Sequence, residues 1–161
     1  SYVPKAAATA EYASAVDWAV AYTGVEGLTV GYASGEDNAL ATTLADVETM
    51  YAKYAIGSFT IGVQETEQEN DGATTSDDEF SAMGITYQVS DDLSVSYGTH
   101  ELDLGSATAA GTDQESSGWS ASYTMGGVTI VLAEAQSDNN NYSTAAGTDN
   151  DATTVSVALA F

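Results

Sequence analysis

The sequence predicts an all-β protein, a transmembrane antiparallel up-and-down β-barrel. Apolar residues alternate with small or polar residues along nine segments, the two-residue period of a strand with unlike faces. Short turns alternate with long acidic stretches, so that hairpins of roughly 35 residues repeat along the chain. Aromatic residues gather near the strand ends, which is typical of barrels whose outer face meets a membrane.

The strands follow from this alternation. The last one, Ala152 to Phe161, shows it most clearly, with Val155, Val157 and Leu159 on one face and Ser156 and Ala158 on the other. The strands are predicted around residues 16–22, 28–32, 50–56, 59–63, 82–89, 93–97, 118–125, 128–133 and 152–161, and residues 1–3 look like the end of a tenth.

Two kinds of connection separate these strands. Short turns are predicted at residues 24–27, 57–58, 90–92 and 126–127, and long polar loops at residues 34–46, 65–79, 101–115 and 136–151. Tyr51 and Phe80 do not fit the apolar alternation. We expect either a β-bulge or a place on the polar face for them.

Composition excludes several classes of function. The 161 residues include two basic and 24 acidic residues, for a formal net charge of -22, so the chain cannot neutralise nucleic-acid phosphates. It contains no cysteine, which excludes disulfides and thiolate metal sites. A hydrophobic content of 43% with ten tyrosines argues against disorder. No run approaches the ~18 apolar residues of a transmembrane helix.

The rings define the predicted membrane boundary. Tyr32 and Tyr97 lie near the strand ends at the long loops, and a second belt lies beside the short turns. That belt comprises Tyr22, Tyr54, Phe59, Tyr87, Tyr123 and Phe161. The expected location is the bacterial outer membrane, with short turns in the periplasm and long acidic loops outside the cell.

The opposite face of the strands is predicted to line a pore. Its candidate residues are Tyr51, Lys53, Gln64, Gln88, Ser94, Ser96, His100, Ser120 and Ser122. Lys53 either sets the charge of the pore or neutralises nearby carboxylates. His100 shares its face with Ser94 and Ser96, but catalysis would need a nucleophile, a base and an orienting group in contact. We therefore predict no catalytic residues and no enzyme.

The densest acidic loop offers hard oxygen ligands for loosely bound Ca²⁺ or Mg²⁺, and no other cofactor is expected. Its carboxylates belong to Glu65, Glu67, Glu69, Asp71, Asp77, Asp78 and Glu79. The spacing is not that of an EF-hand. The alternative is a solvated loop that attracts cations without holding a particular ion.

The chain resembles the general diffusion porins of Gram-negative bacteria, and among them the alphaproteobacterial, Rhodobacter-type branch. The resemblance is carried by residues 11–24 (EYASAVDWAVAYTG), 54–62 (YAIGSFTIG) and 84–97 (GITYQVSDDLSVSY) and by the terminal Phe161. It implies a homotrimer of barrels with about 16 strands each. We therefore expect residues 1–161 to be one porin domain, the C-terminal portion of a longer barrel.

The resemblance also implies partners and a function. The partners are outer-membrane lipid, lipopolysaccharide, and the barrel-assembly machinery that would recognise the C-terminal strand. The function is a water-filled passive channel for small hydrophilic solutes and ions, with cations preferred because of the acidic mouth. Two alternatives stay open: a small closed barrel with a structural or adhesive role, and a soluble acidic β-protein.

Overall fold

The computed structural model describes residues 2–3, 15–40, 43–71, 77–105, 112–140, 142–143 and 148–160. The described residues form β-strands joined by turns. In chain order the strands are β1 (Tyr2–Val3), β2 (Ala15–Val25), β3 (Leu28–Leu40), β4 (Thr43–Ile56), β5 (Phe59–Asp71), β6 (Asp78–Gln88), β7 (Leu93–Leu104), β8 (Gln114–Met125), β9 (Val128–Asp138) and β10 (Asn150–Leu159). Among these residues, no helix is long and apolar enough to cross a membrane.

All the strands belong to one antiparallel sheet in which spatial order equals chain order, from β1 to β10. This up-and-down topology confirms the predicted fold class. The predicted short turns are also present. Gly57 and Gly126 occupy two of them with φ angles of 56° and 61°, a left-handed conformation that glycine adopts without steric cost.

The sheet has two unlike faces. Val, Ile, Leu, Met and most aromatic side chains occupy one, which we call the apolar face, and Ser, Thr, Gly, Ala and Gln dominate the other, the polar face. Large apolar side chains are exposed, for example Val20 at 58% and Ile56 at 56%. The one buried hydrophobic residue in the described part of the chain is Ala45. A soluble protein would bury such a face, so this arrangement suits an apolar surrounding medium.

Valines on both faces allow a like-for-like comparison of exposure. Val30 and Val63 on the apolar face are exposed, whereas Val47 and Val131 on the polar face are only partly exposed. The apolar face is therefore the more open side of the sheet, and its hydrophobic character does not result from packing against another layer.

Successive hairpins are staggered in a constant direction. Leu28, Phe59 and Leu93 each follow a short turn. They pair with Tyr54, Tyr87 and Tyr123, each three residues before the next short turn. From one strand to the next, the start of the strand therefore shifts by about one residue, or ~3.3 Å along the strand direction, for every ~4.8 Å across the sheet. This stagger corresponds to a strand tilt of about 35°. Transmembrane barrels have strand tilts of about 35–45°.

The strands extend well into the segments predicted as loops. β3 continues to Leu40, β4 starts at Thr43 and β5 runs to Asp71. The pairing of β4 with β5 is continuous from Leu44 with Asp71 to Ile56 with Phe59. The long loops are thus shorter than predicted, and many of their carboxylates are strand residues. Tyr51 and Phe80 lie in regular register, so the polar-face interpretation is confirmed and the bulge is not.

Candidate pore-lining face

The nine residues predicted to line a pore all lie on the polar face. The register pairs Tyr51 with Gln64, Gln88 with Ser94, Ser94 with Ser122, and Ser96 with Ser120. Directly opposed residues of antiparallel strands share a face, so these pairs are neighbours on one surface. His100 lies opposite Ala82 on one side and Ser116 on the other.

Hydroxyl groups on this face bond to one another across the strands. The Oγ atoms of Ser96 and Ser120 are 2.7 Å apart, and the Oγ1 atoms of Thr49 and Thr66 are 3.0 Å apart. The Oγ1 atoms of Thr124 and Thr129 are also 3.0 Å apart. Each hydroxyl keeps acceptor capacity after one such bond, so the face can still bind water. This is a hydrophilic surface that needs no buried charge.

Tyr51 lies flat across the polar face. Its ring covers Gly31 of the neighbouring strand, where a Cβ atom would collide with it. Gly31 is buried, whereas Tyr51 remains 37% exposed. Aromatic residues often cover a glycine of a neighbouring strand in this way. The ring therefore presents its other side to whatever fills the space above the polar face.

The polar face carries few charges. Among the strand residues with described side chains, they are limited to Asp17, Lys53 and Asp78, with His100 as the one titratable imidazole. Lys53 stands between Thr29 and Gly62 and has no ion pair in the described part of the chain. A single unpaired ammonium on a nearly neutral surface has a larger effect on passing ions than one within a charged cluster.

His100 does not form a catalytic arrangement with the serines predicted to share its face. Ser96 is four residues away on the same strand, or about 13 Å. Ser116 is directly opposite, but its hydroxyl donates to Ser137 Oγ at 2.9 Å. The closest ring neighbour of His100 is Phe80, with centroids 5.8 Å apart.

The predicted girdle residues Tyr22, Tyr54, Phe59, Tyr87 and Tyr123 lie on the apolar face beside the short turns, and Phe161 lies outside the described residues. Phe59 and Tyr87 stack with ring centroids 4.5 Å apart. Near the other strand ends, the Trp119 indole donates to the Glu134 carboxylate at 3.1 Å. The polar atom of this amphipathic ring thus points toward the acidic end of the sheet.

Carboxylates continue the apolar face toward the loop ends. Glu48 pairs with Glu67, Glu67 with Glu79, and Glu79 with Asp103. We call this row of four residues the carboxylate ladder. A second row runs from Glu101 through Glu115 to Asp138. The sequence shows these charges, but only the register shows that they are directly opposed and face away from the polar face.

The predicted metal ligands fall into this arrangement. Glu65, Glu67 and Glu69 alternate along β5, and Glu79 opposes Glu67, whereas Asp78 lies on the opposite face. Asp77 precedes β6, and the Asp71 side chain is outside the described set. The described residues contain no group of three or more histidine or acidic side chains that could hold a metal ion. They form a ladder of pairs, which does not fit a closed metal cage.

The distance from the short turns to the first carboxylate of the apolar face varies from six residues in β5 (Phe59 to Glu65) to ten in β8 (Met125 to Glu115), and eight is the most common value. Glu48 lies eight positions from Ile56, Glu101 eight from Leu93, and Asp151 eight from Leu159. Eight residues at ~3.3 Å, tilted by about 35°, give an apolar band about 22 Å tall. The apolar band of outer-membrane barrels is about 25 Å tall.

Comparison with known proteins agrees with this geometry. The family model described as Gram-negative porin matches residues 1–143, and the chain therefore belongs to the Gram-negative porin family. This family consists of channels rather than enzymes, and membership implies an outer-membrane location. No curated protein matches the chain.

Proposed function

We propose that this protein forms a water-filled channel through which small hydrophilic solutes and ions diffuse passively. The observation that carries the proposal is the two-faced sheet: an exposed apolar face about one membrane thick opposes a continuous hydrophilic face. A passive pore needs no cofactor and no chemistry. It needs a polar wall that replaces part of the hydration of a solute without holding the solute tightly.

We further propose that the channel prefers cations. The net charge of -22 creates a negative potential that concentrates cations near the mouth. The ladder carboxylates are on the apolar-face side, so their influence on the pore is long-range and screened by salt within about 10 Å at 0.1 M. On the polar face, Asp17 and Asp78 attract cations, whereas Lys53 repels cations.

The environment and assembly are part of the same proposal. Short turns would face the periplasm and the acidic loop ends would face outward, because outer-membrane barrels have short periplasmic turns and longer extracellular loops. There the carboxylate ladder would attract Ca²⁺ or Mg²⁺ loosely, in contact with lipopolysaccharide. The homotrimer, the Rhodobacter-type affinity and recognition by the barrel-assembly machinery rest on the family resemblance.

Single-channel recording tests the proposal. Protein extracted from the native membrane is added to a planar bilayer under a salt gradient. We expect discrete conductance steps in groups of three with a reversal potential of cation-selective sign. Folded, heat-modifiable protein that leaves the bilayer silent would reject the channel and favour a small closed barrel with a structural or adhesive role. A reversal potential of anion-selective sign at low salt would reject the proposed cation preference but not the channel itself.

A further inference from the structure

A hollow of about 520 Å³ lies on the polar face of β6 to β10, toward the loop ends. Its lining includes Phe80, His100, Ser116, Ser137 and Asn150. Ligand pockets in proteins have volumes of about 300–1,000 Å³ and combine apolar surface with a few placed polar groups. The hollow has both properties; Tyr51 and Lys53 are not among its lining residues, although a larger hollow that reaches Tyr51 shares His100 and Ser116 with it.

One wall of the hollow is aromatic. The rings of Phe80 and His100 lie 5.8 Å apart, tilted by 35°. Phe80 is only partly exposed, unlike Phe59 of the membrane girdle, which is 44% exposed. His100 covers part of the ring, and another part of it lines the hollow. The surface of Phe80 is therefore available to an apolar patch of a solute.

The opposite wall is a chain of hydrogen bonds. Ser116 Oγ donates to Ser137 Oγ at 2.9 Å, and Ser137 Oγ donates to Asn140 Oδ1 at 3.0 Å. Asn140 Nδ2 in turn donates to the Thr148 carbonyl at 2.7 Å. This series of hydrogen bonds fixes the direction of each hydroxyl. It leaves oxygen lone pairs on Ser116 that can accept a hydrogen bond from a solute.

The floor between these walls consists of small residues, among them Gly98, Gly118 and Ala135. The glycine at position 118 is required by the backbone, since a Cβ atom there would lie 2.9 Å from the Glu134 carbonyl oxygen. No side chain of these residues projects far enough to fill the hollow. A flat solute can therefore lie close to the sheet.

Tyr142, which follows β9, lies near Asp78 of β6. Tyr142 has a φ of 55°, and burial together with the nearby Asp78 carboxylate raises the pKa of its phenol. Asp78 is on β6, two residues from Phe80 and on the same face.

We propose that this hollow is a weak binding site for neutral, hydroxylated ring solutes, that is, mono- or disaccharides, on their way through the channel. A sugar has an apolar ring face that suits Phe80 and peripheral hydroxyls that suit Ser116, Ser137 and Asn150. The lining itself contains no carboxylate or ammonium group, so an anionic solute gains no ion pair there, and Asp78, two residues from Phe80 on the same face, would repel it. This inference rests on the proposed channel.

The test uses maltose and the full protein. In a planar bilayer, maltose should interrupt the ion current of single channels in a concentration-dependent way. Phe80→Ala should raise the half-blocking concentration about two- to twelvefold, since a lost ring contact is worth about 0.5–1.5 kcal/mol. Phe80→Tyr should leave it within about twofold, because the ring is kept. Val131→Ala, an apolar truncation on the same face but outside the hollow, is the matched control.

A second readout separates this inference from the channel itself. Saturation-transfer NMR with maltose and detergent-solubilised protein should show transfer to the ring protons of the sugar, which Phe80→Leu reduces. Conducting channels with neither block nor transfer would overturn the sugar site and leave the channel standing. Transfer without conductance would reject the channel but not the hollow. Block that Phe80→Ala and Phe80→Leu leave unchanged would place the sugar elsewhere.

Discussion

At the residue scale, the contact between Gly31 and Tyr51 fixes an aromatic ring on the polar face. Gly31→Ala should destabilise the folded protein by about 1–3 kcal/mol, because the new methyl group must displace the ring or shift the strand. Gly62→Ala is the control, since the nearest atom there is the Ala52 carbonyl oxygen at 3.9 Å. Urea unfolding in detergent measures both. The double variant Gly31→Ala, Tyr51→Ala should recover most of the stability that Gly31→Ala loses. Equal destabilisation by Gly31→Ala and Gly62→Ala would refute the contact.

Lys53 is the other residue whose position predicts a measurable effect. It is the one cation among the described strand residues, and it has no ion pair there. Lys53→Gln should raise the cation-to-anion permeability ratio about twofold, since one positive charge is removed from a nearly neutral wall. Reversal potentials under a potassium chloride gradient give the ratio. Lys53→Arg, which keeps the charge, should match the parent protein; a shift in that variant would indicate a steric effect.

At the element scale, the carboxylate ladder places like charges directly opposite one another on β4 to β7. Such pairs destabilise a sheet by roughly 0.2–1 kcal/mol. Glu67→Gln should therefore stabilise the protein in low salt, and the gain should vanish near 1 M salt, where screening acts within about 3 Å. Thermal unfolding at both salt concentrations measures this effect.

Asp151→Asn is the matched control for the ladder, because Asp151 opposes the neutral Gln136. It removes the same charge without relieving a direct repulsion, so it should give less stabilisation than Glu67→Gln. Equal gains would mean that overall charge, rather than register, determines the effect.

The same elements show what the sequence could and could not predict. Alternation and turn residues such as Gly57 and Gly126 are local signals, and they located the strands, the short turns and both faces. The outer halves of β3, β4 and β5 were predicted as loops, because Asp, Glu and Asn are uncommon in strands. The alternation of residues 65–69 (ETEQE) was present, but no apolar residue marked it.

The pairing register between neighbouring strands could not be predicted from the sequence either. The opposed carboxylates and the hollow beside Phe80 depend on which residues of adjacent strands meet. That pairing is decided by the whole hairpin and its neighbours, not by any one segment. The polar-face residues could be predicted from parity alone, whereas Ser116, Ser137 and Asn140 carried no sequence signal that separated them from other serines and asparagines.

At the scale of the whole molecule, the apolar band is about 22 Å tall by the strand rise and tilt. A thin bilayer covers such a band with little mismatch, whereas a thick one must deform. Folding yield after dilution from urea should therefore be higher in lipids with 12-carbon chains than in lipids with 18-carbon chains. Heat-modifiable mobility in gel electrophoresis reports the folded fraction. A yield that rises with chain length would contradict the estimated height.

The strictly sequential order of the strands has a kinetic consequence. Each described strand pairs only with its neighbours along the chain, so contacts are local in sequence and each hairpin closes a short loop. Local contacts favour fast formation of each piece. Every intermediate, however, ends in a strand whose amide and carbonyl groups await a partner, and in water that edge can pair with another copy. The hazardous stage of this protein's biogenesis is therefore the interval during which its last-formed edge is bare.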